Sequence, residues 1–109
     1  MRWSYLGMKE GYVYILSNSR RSVLYTGVSG DLLNRTFNHK KSEGSLFSTK
    51  YRTHFLMYYE VHQNMYEAIR REKQIKKWKR EWKMNLIRTV NPDLKDLWDE
   101  ILPPERFYF

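Results

Sequence analysis

The chain has 109 residues, 41% hydrophobic and 17% aromatic, which supports one folded domain and excludes a disordered chain or two separate cores. It contains no cysteine, so disulfides, thiolate metal sites and cysteine nucleophiles are ruled out. With 20 basic against 12 acidic residues the net charge is +8, a balance that attracts polyanions, nucleic acid first among them. No apolar run approaches the ~20 residues that span a bilayer, and Met1-Arg2-Trp3-Ser4 opens no apolar leader, so the expected setting is the cytoplasm.

Met8-Lys9 reads as an internal start, leaving residues 1–7 as an extension before a domain over 8–102 and a tail over 103–109. Tyr12 to Leu16 and Val23 to Val28 are rich in β-branched and aromatic residues, which predicts two strands joined across the polar Ser17 to Ser22 as a hairpin. Asp31 then caps a helix reaching about Lys41, with Leu32, Leu33, Thr36 and Phe37 inward. Ser42 to Arg52 reads as loop, and His54 to Val61 as a third strand. The helical period runs from Met65 to Arg80 and resumes from Glu81 to Val90. Asn91-Pro92 breaks it, Leu94, Leu97, Trp98 and Ile101 form a last short helical face, and Pro103-Pro104 ends regular structure. The order β-β-α-β-α-α-α predicts an α+β fold: a small three-stranded sheet, at least partly antiparallel, covered by helices.

Alternate strand residues share a face, so Tyr12 pairs with Tyr14 and Tyr25 with Gly27. An even hairpin loop would bring all four together; an odd one would separate them. Gly27 would leave room for a ligand near the backbone, while packing beneath helices is the simpler use of the rings. Arg35 and His39, four apart, stack on one helical face with Leu32 and Thr36. A guanidinium held there suits phosphate oxygens and an imidazole carries protons near neutral pH; a surface arginine beside a half-buried histidine is the alternative.

Glu72 lies among Ala68, Ile69 and Ile75, inside an apolar helical stripe. A carboxylate buried there needs a partner: either Arg35 or another base, or one Mg²⁺ or Mn²⁺ ion, which keeps most of its waters. No second inward carboxylate is apparent for a two-metal site, and Glu81-Trp82-Lys83 lacks a correctly ordered companion motif. The basic segment Arg70, Arg71, Lys73, Lys76, Lys77, Lys79 and Lys83 offers phosphate contacts, with Trp78 and Trp82 expected in the core.

Together these positions resemble the GIY-YIG nuclease superfamily, specifically small stand-alone members related to the N-terminal nuclease domain of the excision-repair excinuclease. The resemblance runs from about Met8 to about Leu97. It rests on Tyr12-Val13-Tyr14, Tyr25-Thr26-Gly27, Arg35, His39 and Glu72 in the run Ala68-Ile69-Arg70-Arg71-Glu72-Lys73-Gln74. Thr26 departs from the usual isoleucine, and the family's late asparagine falls on Asn91 or Asn85, with Asn91 preferred. The resemblance implies a divalent-metal-dependent endonuclease acting on nucleic acid, DNA ahead of RNA. In that scheme Glu72 holds one Mg²⁺ or Mn²⁺, Arg35 neutralises phosphate charge, and Tyr14 or Tyr25 orients or deprotonates water. Tyr14, Tyr25, Arg35, His39 and Glu72 are then expected on one concave face. Two rivals are a basic module that binds nucleic acid without cutting, and a protein-interaction domain using Phe107-Tyr108-Phe109.

Overall fold

A computed structural model describes residues 9–40 and 53–101; the expected N-terminal extension, the loop at Ser42 to Arg52 and the C-terminal tail lie outside them. Three strands form one antiparallel sheet, β1 (Gly11–Ser17), β2 (Leu24–Ser29) and β3 (Phe55–His62), in the order β2-β1-β3. The helices are α1 (Leu32–Lys40), α2 (Met65–Lys76), α3 (Arg80–Val90) and α4 (Trp98–Ile101). The α+β architecture matches the sequence expectation.

As the central strand, β1 is covered on both faces, which is why its sequence is a nearly continuous apolar and aromatic run. Val13 and Ile15 pack with Met57 and Tyr58 under Ala68 and Ile75 of α2 and Ile87 of α3. Tyr14 and Leu16 point the other way, toward Leu32 of α1, Leu56 and Leu97. Gly11 sits where α2 approaches most closely: a Cβ there would come within 2.6 Å of the Ala68 methyl.

Local chemistry sets the element ends. Asp31 accepts from the Asn34 amide at 3.2 Å and caps α1, and Asn64 accepts from the Glu67 amide at 2.9 Å and caps α2. The α2 period stops at Lys76, short of the expected Arg80, and the chain turns through Lys77, Trp78 and Lys79 before α3. Two further expectations are corrected. Leu94 is not on a helical face with Leu97: it takes a left-handed φ of 54° and packs in the α2–α3 core. Phe37, expected inward, is 45% exposed and stacks on Trp98.

The β1–β2 turn is fastened to distant elements. Asn18 accepts from the Ser22 and Val23 amides, and Arg21 donates twice to the Leu94 carbonyl, at 3.0 and 2.8 Å, beneath the Phe55 ring. Arg80 from α3 donates to the carbonyls of Arg21 and Ser22.

Candidate active site

Six residues separate Ser17 from Leu24, an even loop, and the register opposes Tyr12 to Ser29, Tyr14 to Gly27 and Leu16 to Tyr25. Opposed residues share a face. Tyr12, Tyr14, Tyr25 and Gly27 therefore lie together. The Tyr14 ring is fully buried and lies across Gly27: a Cβ at position 27 would fall 2.5 Å from its Cζ and hydroxyl oxygen. Glycine is required there by the ring, not by backbone strain. Tyr25 sits beside it, ring centroids 6.4 Å apart at 38°.

Arg35 completes this group from α1. Most of its side chain is exposed, in contrast to the inward setting its spacing predicts, but its Nε donates to the Tyr14 hydroxyl at 3.2 Å. That hydrogen bond, reinforced by Tyr25, raises the Arg35 pKa further, so the guanidinium stays charged. Tyr14 moves in the opposite functional sense. Burial raises its pKa, and the counteracting pull of Arg35 does not reverse this. His39 follows one turn later on α1; its side chain lies outside the described set.

The helix carrying Glu72 packs on the other face of the sheet. Glu72 is only 8% exposed, in line with Ala68 and Ile75. Its partner is Lys76, not Arg35, with Nζ 2.7 Å from Oε2. Although the tyrosines and Glu72 start from opposite faces, the Glu72 charge reaches the Tyr14 hydroxyl and adds to its upward shift. Because β2 is an edge strand, groups from the two faces can meet around it. Among the described residues no group of three His, Cys, Asp or Glu gathers to hold a metal, so a cation there would rest on Glu72 with few protein ligands.

Asn91 ends α3 in a buried position. Its amide donates to the carbonyls of Met57 at 2.9 Å and Lys95 at 2.8 Å, and its oxygen accepts from the Lys95 amide at 3.0 Å. Asn85 is exposed on α3.

Two features escape the sequence reading. A second inward carboxylate does exist: Glu60 on β3, held by Tyr58 at 2.5 Å, His62 at 2.5 Å and Arg71 at 3.0 Å. Burial works against its charge, but these donors outweigh it and keep the carboxyl below its usual range. The two-residue spacing of Tyr58, Glu60 and His62 was the available signal. Trp82 is the other correction, half exposed instead of in the core.

The basic segment divides by partner. Arg70 pairs with Glu67, Arg71 pairs with Glu60 and lies over the Trp78 ring, and Lys76 pairs with Glu72. Lys83 is half buried, and burial with the nearby Lys76 charge lowers its pKa. Lys73, Lys77 and Lys79 are exposed.

No helix among the described residues is long and apolar enough to cross a membrane. Residues 10–85 match the family model described as the GIY-YIG catalytic domain. UPF0213 proteins of Staphylococcus aureus strains Mu3, Mu50 and N315 are each 35% identical over 81 residues, covering 74% of this chain and 98% of theirs. No solved structure matches. The two tyrosine triplets face each other across one hairpin, the arginine reaches them, and the match covers most of the chain: it belongs to the GIY-YIG catalytic domain family.

Proposed function

We propose that this chain is a divalent-metal-dependent endonuclease hydrolysing nucleic-acid phosphodiester bonds by a one-metal route, with DNA ahead of RNA as substrate. The observation that carries this reading is the Tyr14–Arg35 pair over Gly27, with the Glu72 charge in range of the same hydroxyl. Glu72 fits a hard cation: it is a buried oxygen donor whose partner, Lys76, is 53% exposed. An exposed i,i+4 pair contributes only about 0.3–0.5 kcal/mol, so a divalent ion can displace it. Mg²⁺ or Mn²⁺ held by Glu72 would supply Lewis-acid stabilisation of phosphate charge.

The chain's own residues supply the rest. Arg35 neutralises charge building on the phosphate oxygens, a role that its permanent charge and fork of donors suit. Tyr14, with its pKa raised, keeps its proton and positions; it does not serve as base. Tyr25, half-buried beside it, is then the tyrosine that orients or deprotonates the attacking water. His39 is proposed as a proton carrier, Gly27 clears the space over β2, and Asn91 holds the frame behind it. A repair role rests on the sequence resemblance.

Incubating the protein with DNA and RNA substrates, with Mn²⁺ and with chelator, tests the reading. Arg35→Ala and Glu72→Gln should each lower cutting by about 10²–10³-fold or more, with circular dichroism unchanged. Undiminished cutting by Glu72→Gln would remove its metal role. Lys76 seated on Glu72 favours the binding-module alternative, which takes over if wild type binds tightly but never cuts.

A further inference from the structure

Trp78, Trp82, Asn85, Leu86 and Thr89 line an open groove of about 410 Å³ along α3. Trp78 has a structural role: it packs against the α2–α3 core and carries Arg71 over its ring, 5.2 Å to the centroid. Trp82 has no comparable role. It meets Trp78 edge-on, centroids 6.4 Å apart at 74°, and leaves half its surface in water. An exposed tryptophan held at a fixed angle by a second one is a ready stacking platform.

The surroundings identify the occupant. From Lys73 to Val90 the chain carries 7 basic residues and one acid, Glu81. An apolar slot within so basic a surface fits a flat ring attached to a polyanion better than an apolar peptide. Thr89 spends its hydroxyl on the Leu86 carbonyl at 2.6 Å, so Asn85 is the lining group that can offer both a donor and an acceptor to a base edge. The groove is also joined to the candidate site by charge: Lys76 touches Glu72, and its field reaches Lys83, next to Trp82.

We propose that this groove is a subsite for an unpaired nucleobase, stacked on Trp82 and hydrogen-bonded by Asn85, with flanking phosphates on Lys79 and Lys83. This rests on the nucleic-acid reading above and deepens it by naming the substrate class. A base inside a duplex has both faces covered by its neighbours, so the groove selects strands with unpaired nucleotides near the cut.

The test measures binding by fluorescence anisotropy in chelator, in the Glu72→Gln background, so that its outcome does not depend on cutting. The probes are a labelled oligothymidylate and an abasic strand of equal length. Trp82→Ala should weaken oligothymidylate binding about tenfold, within the range for loss of one stacked base, and leave the abasic strand unchanged. Trp82→Phe keeps a ring and should retain most of the affinity, separating stacking from misfolding. Equal loss on both strands, or no loss on either, overturns the proposal, as does self-association that Trp82→Ala abolishes, which would assign the groove to a second copy. Failure here with intact cutting by wild type leaves the nuclease reading standing; stacking without cutting in wild type overturns that reading alone.

Discussion

At the level of single residues, Thr26 shows what a small departure costs. It alternates with Gly27 and faces Ile15 on the side away from the tyrosines, so the active face does not feel it. Its hydroxyl, however, is buried without a hydrogen bond. An orphaned buried polar group costs roughly 1–3 kcal/mol. Thr26→Val should therefore stabilise the domain by about 1 kcal/mol in urea unfolding, with cutting unchanged. A loss of stability would mean that the hydroxyl has a role in the fold. Glu60 presents the opposite case, a buried acid that is fully provided for. Its folded pKa is depressed, so its stabilising contribution is present above the unfolded carboxylate value of about 4.3 and is lost as pH falls through the folded value. Glu60→Gln should be less stable than wild type at neutral pH, and the gap should close as the solution is acidified below about pH 4. Unfolding midpoints across pH check this; a gap that widens in acid contradicts it.

At the level of elements, the junctions carry more than the elements themselves. Asn91 stops α3, pins the following turn through Lys95 and ties both to Met57. Asn91→Ala removes three hydrogen bonds and strands a buried carbonyl of β3, so it should destabilise the domain by about 2–4 kcal/mol. Urea unfolding measures the loss. We expect Asn91 to act on cutting through the fold, so activity per folded molecule should survive; loss of activity at unchanged stability would make it a direct participant. The Asn91-Pro92 signal was legible as a helix stop because proline cannot continue the turn. The three hydrogen bonds were not, since two of them depend on where β3 and Lys95 come to lie. The hairpin behaves alike: its polar composition announced a turn, but its anchoring by Arg21 and Arg80 depends on contacts far apart in sequence.

Across the whole molecule, charge and fold meet in the α2–α3 segment. Arg70, Arg71 and Lys76 are paired with acids, whereas Lys73, Lys77 and Lys79 are exposed and make no ion pair among the described residues. Nucleic-acid affinity should fall as salt rises, through counterion release, and Lys73→Ala, Lys77→Ala and Lys79→Ala combined should flatten the log–log slope by about 2–3. Titrations at several salt concentrations give that slope; an unchanged one would exclude these lysines from phosphate contact.

Strand alternation, helical spacing and turn residues are local properties, and they sufficed to determine the three strands, the tyrosine triplets as facing sets, the inward stripe around Glu72 and the basic α2–α3 segment. They also carried the family resemblance. What they could not specify was which sheet face each helix covers, because a 3.6-residue period names the buried stripe of a helix but not the surface it packs on. Only the tertiary structure placed α2 and Glu72 opposite the tyrosines, gave Glu72 its Lys76 partner, brought Arg71 and His62 to Glu60, and left Trp82 half in water. Each depends on long-range packing, in which solvent exposure and ion pairing are decided by neighbours that the local sequence does not contain.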